Sequence, residues 1–95
     1  MAANGINHLT PVTVTSTPVV LVTAAQADEP DLVSIVVFSE TVDILIGGPT
    51  LTAANGATRV PAGVPLEISR RFGALWAVST GANTTVRIDL YKGTR

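Results

Sequence analysis

The chain has 95 residues, of which 46% are hydrophobic and only 14% charged, and it contains no cysteine. That length allows one small domain, which buries roughly 60–70% of the surface its unfolded chain exposes. Without cysteine there is no disulfide framework and no thiolate metal site, and with six Lys and Arg against seven Asp and Glu the net charge is −1, which speaks against the clustered positive surface of a nucleic-acid binder.

Valine, isoleucine and threonine together supply 32 residues. β-branched side chains lose rotamer freedom in helices and fit a pleated sheet, so the expected class is all-β. A charged fraction well under the usual value of about 25% leaves few charges to coat a free-standing domain. Burial of some surface against neighbours is therefore expected.

Residues 1–17 carry Asn4-Gly5, Asn7, His8 and Pro11 and read as an extended N-terminal arm, followed by a β-sandwich domain over residues 18–95. Val12-Thr13-Val14-Thr15 alternates apolar and hydroxyl side chains as a strand with one wet face does. Pro18 interrupts the ladder, so residues 19–23 form a second short strand or the continuation of a bent edge strand. Residues 24–31, with Asp28-Glu29-Pro30-Asp31, read as an exposed loop. Residues 32–38 and 42–46 are the two most apolar segments, separated by Ser39-Glu40-Thr41, and are expected to pair as a hairpin. Gly47-Gly48-Pro49 ends it.

Thr50-Leu51-Thr52 reads as a brief strand, and Asn55-Gly56 is a type I′ turn signal between Thr52 and Thr58. Residues 64–70 place Val64, Leu66 and Ile68 on one face, with Glu67 and Ser69 on the other. After a glycine-marked break at Gly73, residues 74–79 form a strand, and Gly81-Ala82-Asn83 the next turn. Residues 84–91 close the chain with Val86, Ile88 and Leu90 on one face, and Thr85, Arg87, Asp89 and Tyr91 on the other. About seven or eight short strands without a helical period predict an antiparallel β-sandwich or small barrel, with immunoglobulin-like and jelly-roll connectivity both open.

The longest apolar span, residues 32–46, is broken by Glu40 and Asp43 and is shorter than the roughly 20 residues needed to cross a bilayer. Met1 to Thr10 carries no Lys or Arg, and residues 19–22 are too short for the apolar region of a signal peptide. No membrane association is expected.

Charge is divided along the chain. Residues 1–58 hold Asp28, Glu29, Asp31, Glu40 and Asp43 and no Lys or Arg, a formal charge of −5; the remainder holds Arg59, Arg70, Arg71, Arg87, Lys92 and Arg95 against Glu67 and Asp89, a formal charge of +4. Either acidic and basic strands pair within one sandwich, or the two signs draw copies of the chain, or a scaffold, together.

Residues able to carry chemistry are sparse. His8 is the only histidine and Cys is absent, so neither a metal cluster nor a Cys–His pair is available, and a serine triad would have to recruit His8 from the arm. Glu40 and Asp43 sit at a bend where acids serve solubility rather than glycoside chemistry. Gly47-Gly48 lacks the Gly-Lys-Ser/Thr of a phosphate loop, and Asn83-Thr84-Thr85 matches the glycosylation triplet by chance. No enzymatic activity, cofactor or metal is expected. Trp76, the single tryptophan, is either a core anchor between Leu75 and Ala77 or an interface residue on the opposite face.

Val42, Ile44 and Ile46 to Gly48, then Asn55, Gly56, Ala62, Gly63, Pro65, Glu67 and Ile68, then Leu75 to Ser79 and finally Val86 to Ile88 follow one another in an order that resembles the small β-sandwich structural proteins encoded beside capsid genes in tailed bacteriophages. The resemblance covers about two thirds of the chain and implies a virion protein without enzymatic activity. Joined to the residue chemistry, it predicts a capsid decoration (cement) protein on the virion exterior, a homo-oligomer with a trimer favoured, whose partner is the major capsid protein and which bridges capsomers. The alternatives are a receptor- or glycan-binding module displayed on the virion, or a neck or tail component. Expected interface residues are Val12 and Val14, in an arm that adds a strand to a neighbour, Arg59, Arg70, Arg71, Arg87 and Lys92 for an acidic partner surface, and Trp76.

Overall fold

The computed structural model describes residues 5–52, 58–69 and 73–93. Nine strands and one helical turn follow one another in these segments: β1 (Gly5–His8), β2 (Val12–Val14), β3 (Val19–Val22), α1 (Ala24–Ala27), β4 (Leu32–Ser39), β5 (Ile44–Gly47), β6 (Thr58–Val60), β7 (Leu66–Ser69), β8 (Leu75–Ser79) and β9 (Thr84–Lys92). They form two sheets. Sheet I has the order β1-β9-β4-β7, with β2 also paired to β9, and sheet II has the order β3-β8-β5-β6. Every pairing is antiparallel. The protein is an all-β sandwich, as its β-branched composition predicts.

The alternation on β9 sets the centre of sheet I. Val86, Ile88 and Leu90 are buried, while on the other face Arg87 and Tyr91 are exposed and Asp89 is half-buried. Ile35 and Val37 of β4 join them from the same sheet, and Ile44, Ile46, Val60, Leu75 and Ala77 face them from sheet II, in one apolar cluster. Burying each such side chain contributes about 1.5–3 kcal/mol, so this layer is the main source of cohesion between the sheets.

Several local expectations are corrected. Residues 32–38 and 42–46 do not form a hairpin: β4 belongs to sheet I and β5 to sheet II. Both strands carry apolar side chains that gain more by facing one another across the core than by pairing edge to edge. The corner between them is held by hydroxyls. Ser39 Oγ donates to the Val42 carbonyl at 2.5 Å, and Thr84 Oγ1 accepts from the Thr41 N–H and the Thr41 hydroxyl, each at 3.1 Å.

Residues 24–27 are helical rather than loop. Thr23 caps the turn: its side chain accepts from the Gln26 N–H, and Gln26 Oε1 accepts from the Thr23 N–H, a reciprocal capping box. Residues 50–52 are no strand. A turn closed by the Leu51 N–H to the Gly48 carbonyl (3.0 Å) brings Leu51 back onto Gly47, where it is buried. The Asn55-Gly56 turn lies outside the described residues. Between β6 and β7 the Val64 N–H reaches the Pro61 carbonyl at 3.3 Å, and Gly63 has φ +77°, the conformation a type II turn requires at its third position.

The part of the expected arm that is described runs along β9 of its own chain. β1 pairs Gly5 to Lys92 through His8 to Asp89, and β2 pairs Val12 to Val86 through Val14 to Thr84. From His8 to Val12 the N-terminal segment advances four residues while β9 moves three, from Asp89 to Val86. One extra residue is accommodated at Leu9-Thr10-Pro11, a bulge at which Pro11 offers no N–H to the ladder.

Candidate interaction surface

The outer face of sheet I follows from the register. Ile6 stands directly opposite Tyr91, and Tyr91 stands opposite Ser34 on its other side. The β4–β9 register shifts between Leu32 and Ser34, so Val33 is the additional residue beside Tyr91. Ile6 is 47% exposed, Val33 51% and Tyr91 37%. Three large apolar side chains thus meet at one end of this face. One residue pair further along, His8, Asp89, Val36 and Glu67 lie in a row across β1, β9, β4 and β7, and beyond them Arg87 is opposite Phe38. Val36 and Phe38 are half-buried and extend the apolar character along β4.

Among the described residues, two ion pairs and one histidine–carboxylate contact form within the chain. His8 Nδ1 lies 2.6 Å from Asp89 Oδ1, Arg59 Nε lies 2.9 Å from Asp43 Oδ2, and Arg87 Nη2 lies 2.7 Å from Glu40 Oε2. Each joins the N-terminal 58 residues to the remainder. Of the two readings of the divided charge, pairing within the sandwich is realised at Asp43–Arg59 and Glu40–Arg87. Asp43 is the best anchored. Its Oδ1 accepts from the Ala62 N–H at 2.8 Å, and its backbone carbonyl accepts from the Thr80 N–H at 3.2 Å and the Thr80 hydroxyl at 2.9 Å. The Ala62 N–H, followed by the Arg59 guanidinium, holds the Asp43 carboxyl below its ordinary pKa, against a smaller opposing effect of burial, because both donors favour the ionised form.

The residues expected at an interface are scattered by the fold. Val14 is fully buried in the core and has no surface to offer a neighbour, and Val12 is half-buried against the core cluster. Arg59 and Arg87 remain more than half exposed although paired. They lie on different sheets, Arg59 opposite Leu45 in sheet II and Arg87 opposite Phe38 in sheet I. Lys92 ends β9, opposite Gly5 and Leu32. Arg70 and Arg71 lie outside the described residues.

Trp76 is on neither side of the expected alternative in full. Leu75 and Ala77 point into the core, so Trp76 faces outward on sheet II, opposite Val20 and Gly47. It is half-buried there, and its Nε1 is covered and without a hydrogen-bond partner.

Between the sheets a cleft of about 390 Å³ is lined by Ile35 and Ile68 on one side and Ile46 and Leu75 on the other. Among the described lining residues no side chain is titratable, so these walls favour an apolar group. Among the described residues no three His, Cys, Asp or Glu side chains converge as metal ligands. None of the described helices is long and apolar enough to cross a membrane.

Sequence reasoning places Tyr91 on the outer face of its strand but misses the patch it forms. The strand of Ile6 has no clear alternation, and the bulge that exposes Val33 has no sequence mark. Comparisons of the chain with family models, with curated proteins and with solved structures return no match.

Proposed function

We propose that this chain is a non-enzymatic structural protein of a tailed-bacteriophage virion, a capsid decoration protein that docks on the outer shell and bridges capsomers as a homo-oligomer, with a trimer favoured and the major capsid protein as partner. The observation that carries the reading is the convergence of Ile6, Val33 and Tyr91 on the outer face of sheet I. Contiguous exposed apolar surface, rimmed by polar groups such as His8, Asp89 and Glu67, is the mark of a protein contact. The resemblance of residues 42–48, 55–68, 75–79 and 86–88 to phage sandwich proteins supplies the identity of the partner. Four of the resembling stretches lie on β5, β7, β8 and β9, the framework behind that face.

The test is co-sedimentation with purified shells, with cryo-electron microscopy of the bound particles. The wild-type protein is expected to add density at fixed lattice positions and to leave shells more resistant to heating, and Tyr91→Glu to remain folded and stay in the supernatant. Shells that neither bind the protein nor gain heat resistance would overturn the reading. A second reading, a receptor- or glycan-binding module, is favoured by the outward Trp76 with its unpaired indole N–H. It predicts glycan binding that Trp76→Ala abolishes while Tyr91→Glu leaves it intact.

A further inference from the structure

Strand β1 is held differently from every other strand. All four of its residues are exposed, so no side chain of β1 enters the core. What binds it is the ladder to β9 and the His8–Asp89 pair, whose members are 72% and 31% exposed. Exposed pairs of this kind add little to stability, because water screens the attraction and two side chains must be ordered to make it. On its C-terminal side, Leu9 is anchored by its N–H to the Ile88 carbonyl at 3.0 Å and by packing on the core. Then come the extra residue and Pro11, after which β2 is fixed by the buried Val14. The described residues therefore divide into a firmly seated body from β2 onward and a short strand joined to it through an irregular segment.

We infer that β1 is exchanged between copies of this chain, the Gly5–His8 strand of one pairing with the Asp89–Lys92 edge of β9 in its neighbour. Exchange preserves every hydrogen bond of the ladder, because donor and acceptor edges are identical in each copy, so the closed and exchanged forms differ only in the conformation of the connecting segment and in the cost of association. That difference is small for a strand that contributes no core side chain. The connecting segment is also the place where reorganisation is cheapest: the bulge has already broken the ladder, and Pro11 has no N–H to leave unpaired. Crowding of copies then shifts the balance toward exchange by mass action.

The consequence for docking rests on the function proposed above. In the exchanged form the apolar patch is composite, with Tyr91 and Val33 from one copy and Ile6 from the next, so each docking face ties two copies together.

Ile6 and Tyr91 also provide the test. Alternation from the Leu9–Ile88 bond makes them a non-hydrogen-bonded pair, the closer of the two antiparallel spacings, and the chain has no cysteine of its own. The double variant Ile6→Cys/Tyr91→Cys is prepared unlabelled and ¹⁵N-labelled. The two are mixed under reducing conditions, equilibrated at several concentrations, oxidised and digested, and the disulfide-linked peptides that join the two substituted positions are read by mass spectrometry. Exchange predicts mixed-isotope pairs whose share rises with concentration, together with covalent multimers on non-reducing gels. Same-isotope pairs alone at every concentration would overturn it. Gly5→Cys/Lys92→Cys, the next register pair to bracket β1, repeats the measurement if the first variant is poorly folded. Shell co-sedimentation of the wild-type protein, which keeps Ile6 and Tyr91, separates the two ideas: wild-type binding without mixed pairs in the cysteine variants leaves the docking function standing and removes the exchange.

Discussion

Leu51 lies over Gly47 so closely that a β-carbon built on residue 47 would stand 3.2 Å from Leu51 Cδ1. Gly47 faces outward on β5, opposite Trp76 of β8, and the absence of a side chain is what lets the turn after β5 fold back and bury Leu51 on the outer face of sheet II. The close approach of one element to another, rather than an unusual backbone angle, is the reason for glycine here.

Gly47→Val is therefore expected to displace Leu51 and to cost about 1–3 kcal/mol, the range of an overpacked site. Gly48→Ala, one residue on, meets nothing within 4 Å and is expected to unfold at the wild-type urea midpoint. Equal midpoints for both variants would show that Leu51 yields freely.

The hydroxyl corner between the sheets gives a second outcome. Ser39 Oγ and Thr84 Oγ1 are 3.0 Å apart; because the Ser39 proton is committed to the Val42 carbonyl, Thr84 is the donor of that bond. Thr84→Val keeps the shape and removes the acceptor of the Thr41 N–H. A loss of about 1–3 kcal/mol is expected, the cost of a buried polar group left without its partner, with faster hydrogen exchange at the Thr41 amide.

Asp43 sets an acid limit. Its folded-state pKa lies below the ordinary 3.8, so its contribution to stability is fully present above the unfolded-state pKa and disappears as pH falls through the lower folded value. The wild-type thermal midpoint should therefore fall below about pH 4. Asp43→Asn, which retains an acceptor for the Ala62 N–H but cannot ionise, should have a lower midpoint at pH 7 and a flatter dependence below pH 4. Parallel curves for the two proteins would assign the acid limb to other carboxylates.

At Trp76 the expectation is an unusually mild aromatic substitution. Trp76→Phe keeps a ring on the outer face and removes the covered N–H that has no acceptor, a donor whose burial costs about 1–3 kcal/mol. Unfolding in urea followed by circular dichroism should show a stability equal to or above that of the wild type. A clear loss would mean that the indole N–H is satisfied in solution.

Period-two alternation is enough to identify β2, β7 and β9 and the inward faces of Val86, Ile88 and Leu90, because burial of one sheet face imposes that period directly, whereas β4 stands out as an apolar run. The Thr23-x-x-Gln26 capping box is missed in the sequence, because the Asp-Glu-Pro-Asp stretch that follows it points to a loop. By contrast, the sheet to which each strand belongs is not legible. Leu32–Ser39 and Ile44–Gly47 look like hairpin partners locally, and only the gain from packing their apolar faces across the core separates them. Gly5–His8 has no apolar face at all, and its place on β9 comes from backbone hydrogen bonds that any sequence can supply.

The sequence by itself determined an all-β domain with its core residues and a charge divided along the chain, since composition and period are local consequences of burial. Only the tertiary structure decided that the divided charge closes on itself at Asp43–Arg59 and Glu40–Arg87, and that Ile6, Val33 and Tyr91 meet on one outer face. Both depend on which strands lie side by side and in what register, and that choice is made by contacts between residues far apart in the chain.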